Sequence, residues 1–172
     1  RIDLIRDDQE QIADLNSSKG ATSATVSPDG KQIAFTLRGE VFVTSADYNT
    51  TKQITHTPAA ETGICFSPDN RTLAYASERG GNWQLYLAKI ARKEEANFPN
   101  ATIIEEEVLL PSKTVERNYP QFSPDGKELA FIEDRMRLMV VNLETKKVRQ
   151  VTDGSTWYLS LIHISEPTRR RG

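Results

Sequence analysis

One tetrapeptide, Ser-Pro-Asp-Gly, occurs twice in this chain, and a near copy that ends in asparagine lies between the two. The three copies are Ser27–Gly30, Ser67–Asn70 and Ser123–Gly126. The residues around them also match at fixed offsets: Val26, Phe66 and Phe122 before each copy, then Ile33-Ala34-Phe35, Leu73-Ala74-Tyr75 and Leu129-Ala130-Phe131 after it. A turn and strand pattern that recurs three times indicates an array of supersecondary units that bury their faces against one another.

Each tetrapeptide predicts a tight hairpin turn. Proline presets φ for the second position, aspartate suits the third, and glycine accepts a positive φ at the fourth. Asn70 agrees with this interpretation, because asparagine is the residue after glycine that best tolerates the left-handed region. In the first copy we therefore predict antiparallel strands at Ala24–Val26 and Lys31–Leu37, and a second hairpin turn at Arg38-Gly39. Glu133-Asp134-Arg135 is predicted to be the matching second turn of the last unit.

The strand after each turn is apolar on both faces. In the third copy, Leu129 and Phe131 point to one side, and Ala130 and Ile132 point to the other. A strand with one solvated face would alternate apolar and polar residues, so this pattern is typical of strands covered on both sides. Large side chains on one face and small ones on the other suit close stacking of one sheet on the next.

Two further strands complete each unit. The third strands are predicted at Glu40–Ser45, Trp83–Lys89 and Leu138–Asn142, and the fourth strands at Lys52–Thr55, Glu107–Leu110 and Arg149–Thr152. Four short antiparallel strands in units of roughly 40 residues are typical of β-propeller blades. The predicted fold class is all-β, an incomplete β-propeller of about three four-stranded antiparallel blades stacked around an axis.

The blades are predicted at 20–56, 57–112 and 113–154, and 155–160 is interpreted as the start of a fourth. The second blade is longer than the first, and its extra residues fall at about 90–106, which we interpret as an extended loop or a lengthened outer hairpin. Even a four-bladed ring needs roughly 160 residues. The three blades that the repeats predict therefore indicate a piece of a larger propeller.

The two ends depart from the repeat. Residues 1–19 are interpreted as a connector or as the end of a preceding blade. Residues 161–172 (LIHISEPTRRRG) are interpreted as a non-native or disordered tail, because they resemble translated linker sequence. The alternative is a natural tail that is basic and flexible.

Charge and composition exclude several classes of function. The 22 basic and 24 acidic residues are spread along the chain, so no basic stripe indicates nucleic-acid binding. No apolar run approaches the roughly 20 residues needed to span a bilayer. The single cysteine excludes an internal disulfide framework and does not decide the compartment, which we expect to be cytoplasmic or periplasmic, with a preference for periplasmic.

No catalytic, cofactor-binding or metal-binding residue is predicted, and no cofactor is expected. The two histidines are His56, between the first two blades, and His163, in the tail. Neither histidine belongs to a Gly-x-Ser-x-Gly motif or to a metal-binding spacing, and the chain has no glycine-rich phosphate loop. Cys65 takes a strand position that favours packing over a reactive thiol. Trp83 and Trp157 are expected to be packing groups rather than platforms for a ligand.

The aspartates of the three turns are expected to form turns. Asp29, Asp69 and Asp125 lie about one blade apart in the sequence. A calcium site would need several such carboxylates within one coordination sphere, and this spacing separates them.

The repeats FSPDNRTLAYAS and FSPDGKELAFIE resemble the propeller repeats shared by TolB-like proteins, prolyl oligopeptidase-type peptidases and tricorn proteases. The longer region from about Gly20 to Ser160 looks like the N-terminal propeller region of tricorn-like S41 serine peptidases. The more specific parts of this resemblance are the stretches RGEVFV and ASERGGNWQLY.

The resemblance implies a non-catalytic propeller fragment that acts as scaffold and peptide gate for a catalytic core outside this chain. Tricorn-type enzymes have two propellers before a PDZ module and a core with a serine nucleophile. The implied partners are therefore peptides or the catalytic and PDZ domains of a parent peptidase, whose oligomeric state stays open. The alternatives are a TolB-like protein-binding propeller and the propeller cap of a prolyl oligopeptidase-type (S9) peptidase. The parent open reading frame separates the three.

We expect this polypeptide alone to hydrolyse no peptide, because it shows no nucleophile paired with a base and an oxyanion hole. The check is a fluorogenic peptide assay on the purified chain. Turnover that disappears when one residue of this chain is mutated, for example in the variant His56→Ala, would contradict the expectation.

Overall fold

The computed structural model describes residues 20–152, which form three four-stranded antiparallel sheets. Blade 1 contains β1 (Ala21–Val26), β2 (Gln32–Leu37), β3 (Glu40–Ser45) and β4 (Thr51–Gln53). Blade 2 contains β5 (Glu61–Phe66), β6 (Thr72–Ser77), β7 (Gln84–Ile90) and β8 (Ile104–Leu109). Blade 3 contains β9 (Arg117–Phe122), β10 (Glu128–Glu133), β11 (Arg137–Asn142) and β12 (Val148–Gln150). The predicted fold class is confirmed.

The blades are arranged as a fan. The strands of each sheet lie in sequence order, and the first strands of neighbouring blades contact each other, β1 with β5 and β5 with β9. The last strands, β4, β8 and β12, lie at the far edges of their sheets. Among the described residues no helix has the length and apolar character required to cross a membrane. The predicted segments at 1–19, 155–160 and 161–172 lie outside the described residues.

The Ser-Pro-Asp turns take the predicted backbone conformation. Gly30, Asn70 and Gly126 have φ of 72°, 63° and 70°, and the N–H of each donates to the carbonyl of the turn serine at 2.9, 3.0 and 2.9 Å. The aspartates have a structural role. The Ser27 hydroxyl donates to Asp29 Oδ1 at 2.6 Å, and the same oxygen accepts the N–H of Lys31 at 3.1 Å. The other two turns repeat both contacts.

Two apolar clusters hold the blades together, and the second strand of blade 2 contributes to both. Leu73 and Tyr75 belong to the cluster between blades 1 and 2, whereas Ala74 and Ala76 belong to the cluster between blades 2 and 3. All four side chains are fully buried. The large side chains therefore face the preceding blade and the small ones face the following blade, as the two-faced apolar pattern predicted.

The fourth strands differ from the prediction. β4 and β12 end before Thr55 and Thr152, because the hydroxyls of these threonines accept the N–H groups of Val41 and Leu138 at the start of the third strands, at 2.8 and 3.0 Å. β8 begins at Ile104, three residues earlier than predicted, so the loop of blade 2 is 91–103.

The alanine of the repeat provides a test of the stacking rule. We expect Ala74→Leu to lower the free energy of unfolding by about 1–3 kcal/mol, because the added carbons must enter a closed interface. Ala130→Leu is the matched control. Ala130 has the same repeat position, but no sheet of the described residues covers its face, and its side chain is half-buried. Its cost should stay below about 0.5 kcal/mol. Urea titration followed by tryptophan fluorescence measures both, and equal destabilisation would refute the rule.

Candidate functional site

A cluster of polar side chains joins blades 1 and 2 at the end of the fan opposite the Ser-Pro-Asp turns. Its centre is Glu61, the first residue of β5, whose side chain is 0% exposed. The hydroxyls of Thr57 and Ser77 donate to Glu61 Oε1 at 2.9 and 2.8 Å, and Arg79 Nε lies 3.4 Å from the same oxygen. The buried charge is thus surrounded by donors, as burial of a carboxylate requires.

One hydroxyl links this carboxylate to blade 1. Thr55 Oγ1 lies 2.5 Å from Glu40 Oε2 and 3.0 Å from Glu61 Oε2. Glu40 begins β3, and its other oxygen accepts the N–H of Thr57 at 3.0 Å. A hydroxyl has a single proton to donate, so the two carboxyl groups compete for it. Both Glu40 and Glu61 contribute negative potential at this junction.

Arg79 extends the cluster to the outer strand of blade 2. Its guanidinium forks onto the carboxylate of Glu106, with Nη2 donating to Oε1 at 2.8 Å, and it lies 4.4 Å from the ring centroid of Tyr86. Burial, followed by the charges of Glu61 and Glu40, raises the pKa of Glu106 to about 7. The fork from Arg79 acts in the opposite direction, because a nearby cation favours the carboxylate.

This cluster connects blades 1 and 2 through hydrogen bonds, and ion pairs link its side chains within blade 2. It contains three carboxyl groups, a guanidinium and hydroxyls, but no imidazole or thiol to activate a nucleophile. Across residues 20–152, no group of His, Cys, Asp and Glu side chains is placed to hold a metal ion. Blade 3 repeats the theme, since Arg117 Nε lies 3.1 Å from Glu133 Oε2.

A groove of about 980 Å³ lies between the outer parts of blades 2 and 3, near the Ser-Pro-Asp turns. We call it the open wedge, because no part of the chain that the structure describes fills it. Its apolar lining comes from Leu87 on β7, Phe122 at the end of β9 and Leu143 just after β11. Leu87 and Phe122 are 7% and 8% exposed, so the apolar floor is held in place by the blade core.

The rim of the open wedge carries more acidic than basic side chains. Its charged residues are Asp69, Lys89, Glu105, Glu107, Asp125 and Lys146, while Glu106 turns toward Arg79. One weak ion pair crosses the rim, with Lys146 Nζ 3.3 Å from Glu107 Oε1 and both side chains about half exposed. The groove therefore combines an apolar floor with four carboxylates and two ammonium groups.

The sequence model of PD40, described as the TolB beta propeller domain, matches residues 2–156. The chain belongs to this family. Among curated relatives, the Tol-Pal system protein TolB of Francisella tularensis is 29% identical over 92 residues, which is 51% of this chain and 18% of the relative. This PD40 chain thus spans less than a fifth of that relative's length.

Solved structures share the fold of the PD40 chain at low identity. Putative TolB from Agrobacterium tumefaciens matches with a TM-score of 0.60 and 18% identity, over 77% of this chain and 50% of that one. The tricorn protease matches with a TM-score of 0.54 and 13% identity, over 78% of this chain and 13% of that one. At these identities the likeness shows the fold, so tricorn is one structural neighbour among several propellers.

The residues considered for chemistry in the sequence do not come together. His56 is exposed in the link between β4 and β5, between Thr55 and Thr57 of the polar cluster, at the end of the fan opposite the open wedge. His163 and Trp157 lie outside the described residues. Cys65 is buried in the cluster between blades 2 and 3, where burial raises the pKa of its thiol to about 12, so the thiolate is disfavoured. Trp83 packs against the same cluster.

Sequence reasoning missed three features of the PD40 domain. The sequence does not single out Glu61, because the matching positions in the other two first strands hold Ala21 and Arg117 and so show no shared residue type. Phe98 lies in the charged loop and is nevertheless fully buried. Tyr119, on the innermost strand β9, has φ of 56° and packs its backbone against Gly63, where an added Cβ would meet Tyr119 at 3.4 Å. No local pattern signals this paired bulge.

The raised pKa of Glu106 makes stability depend on pH. Its ordinary value is 4.5, so the folded state holds the proton more tightly than the unfolded state between pH 4.5 and about 7. Stability from this group is present at low pH and is lost as the pH rises through 7. We expect the urea midpoint of the native chain to fall between pH 5 and pH 8 by more than that of Glu106→Gln.

The control for this prediction is Glu107→Gln, an exposed glutamate on the opposite face of the same strand. It should keep the native pH dependence. Identical pH profiles for the native chain and Glu106→Gln would show that the Arg79 fork outweighs burial and the neighbouring carboxylates.

Proposed function

We propose that this chain is part of a TolB-like propeller that binds partner proteins, and that the open wedge receives a peptide segment of the partner. The observation that carries the proposal is the groove itself, in which an apolar floor lies under a charged rim. Sites that bind ligands are typically concave and mostly apolar, with a few placed polar groups, and range from about 300 to 1,000 Å³. The open wedge matches this description in its size and its apolar floor, and its rim carries more charge than such sites usually do.

The walls of the open wedge favour binding because they are rigid. β7 and β8 form one wall through paired strands, and the other wall is the end of β9 with the tight hairpin turns that follow β9 and β11. A preformed groove loses little conformational entropy when an occupant enters, and this raises affinity for a given contact area. An extended segment suits a groove that runs between two sheets.

A narrower proposal makes this chain the peptide gate of a tricorn-like serine peptidase. Its support is the sequence resemblance together with the shared fold of the tricorn protease. The TolB-like proposal has broader support, because a family model covers most of the chain and a curated relative matches half of it. A PDZ-like segment and a serine core in the parent reading frame would favour the gate, and a reading frame that ends after the propeller would favour TolB-like binding.

Peptide selection tests the proposed binding. We expect a phage-displayed library of random peptides to enrich a consensus on the immobilised chain, because the groove offers a preformed apolar site. The variant Lys89→Trp places an indole at the groove wall. It should lower the affinity for the enriched peptides by at least about ten-fold, roughly 1.4 kcal/mol. Fluorescence anisotropy measures the affinities.

The matched control is Lys93→Trp, which makes the same change at an exposed position in the 91–103 loop, away from the open wedge. Its affinities should equal those of the native chain. Failure to enrich any consensus, or equal loss in both variants, would refute peptide binding in the open wedge.

A further inference from the structure

The fan contains two equivalent wedges, and the chain fills one of them itself. Between blades 1 and 2, the loop 91–103 folds back so that Phe98 enters the buried cluster that contains Val43, Phe66 and Ile90. The rings of Phe98 and Phe66 meet edge to face with centroids 6.1 Å apart. We call this the filled wedge.

Polar contacts fix the backbone of the filling segment. The N–H of Phe98 donates to Gln32 Oε1 at 2.7 Å, and Gln32 is 1% exposed. Three residues further on, the carbonyl of Ala101 accepts a hydrogen bond from Lys52 Nζ on β4. The segment between them is a short 3₁₀ turn, Phe98–Asn100, with Pro99 buried beside the phenylalanine.

The repeat register places matching residues in the open wedge. Phe122 and Phe66 each precede the serine of a turn, and Thr72 and Gln32 each follow that serine by five residues. Leu87 pairs with Ala74 just as Val43 pairs with Ala34. Leu143 and Ile90 each donate an N–H to the fourth residue after a turn serine. Thr72, Leu87, Phe122 and Leu143 all line the open wedge.

One position has changed its charge between the two wedges. Lys52 lies opposite Val43 across the β3–β4 ladder, and Glu107 lies opposite Leu87 across the β7–β8 ladder. The filled wedge thus offers a cation to the segment at the place where the open wedge offers a carboxylate. Glu105, two residues earlier on the same face of β8, adds a second carboxylate.

We propose that the open wedge binds a short segment of a partner protein that carries an aromatic side chain and, two residues later, a lysine or arginine. The aromatic ring takes the place on Phe122, Leu87 and Leu143 that Phe98 takes in the filled wedge. The basic side chain takes the exposed position of Asn100, beside the Ala101 carbonyl that Lys52 contacts, and meets Glu107 at the rim. This inference rests on the proposed function, since it names the chemistry of the segment that the open wedge receives.

The phenylalanine supplies most of the expected affinity. Burial of an aromatic side chain in a preformed apolar site contributes more to affinity than an exposed ion pair at the rim. The basic residue mainly sets specificity, because a carboxylate at the same place would face Glu107 and Glu105 with like charge.

Three peptides test the inference on the full chain. The first has the sequence of residues 96–103 with lysine in place of Asn100, whose side chain is exposed in the filled wedge. The second has glutamate at that place. The third keeps the lysine and has alanine in place of the phenylalanine. By fluorescence anisotropy we expect the first peptide to bind about ten-fold more tightly than the second, and the third to lose at least ten-fold relative to the first.

Two variants of the chain locate the binding. In Glu107→Lys the preference should reverse, so that the glutamate peptide binds more tightly than the lysine peptide. Glu94→Lys makes the same charge change on the exposed part of the 91–103 loop and should leave the preference as in the native chain. Circular dichroism of both variants checks that the blades remain folded.

Several outcomes would overturn the inference. These are absence of binding by all three peptides up to about 1 mM, equal binding of the first and third peptides, and an unchanged preference in Glu107→Lys. A preference that responds to Lys52→Glu and not to Glu107→Lys would place the peptide in the filled wedge, which also refutes it. If selection from the random library yields groove-dependent peptides without the aromatic and basic pair, the proposed function stands and only this inference fails.

Discussion

Stacking of sheets through strands that are apolar on both faces is the interaction on which the whole molecule depends. In blade 2, Leu73 and Tyr75 belong to the cluster shared with blade 1, and Ala74 and Ala76 belong to the cluster shared with blade 3. Burial of apolar surface stabilises the fold by about 25 cal/mol per Å². Much of this stabilisation therefore arises at the contacts between blades. This couples the stability of each sheet to the presence of its neighbour, as in other repeat architectures.

The same constraint creates the wedges. The faces of neighbouring sheets converge on the first strands, β1, β5 and β9. They are in contact near the axis and separate where the strands lie further out. The loop 91–103 closes the filled wedge. Of its two large apolar side chains, Phe98 is fully buried and Ile103 is 46% exposed. A loop with a charged composition is thus part of the packing between blades 1 and 2. The open wedge remains a groove because blade 3 has only a short turn between β11 and β12, where blade 2 has the loop 91–103.

The sequence predicts the parts of this structure that depend on local rules. The Ser-Pro-Asp turns and the third strands follow from φ preferences and alternation, which a few neighbouring residues determine. Phe98 and Glu61 could not be predicted in this way, because their roles depend on contacts with residues far along the chain, such as Gln32 66 positions earlier. The open wedge is harder still to predict, since it arises from what blade 3 lacks relative to blade 2.

The polar cluster and the open wedge place charged side chains in two different settings. A catalytic carboxylate needs access to a substrate, whereas Glu61 is 0% exposed and accepts bonds from Thr57 and Ser77 within the interface. Glu105 and Glu107, in contrast, face solvent on the rim of an apolar groove, where Glu107 pairs with Lys146. Charge at the interface fixes one blade against the next, and charge at the rim is the feature from which we propose selection among occupants. Both uses depend on a rigid scaffold.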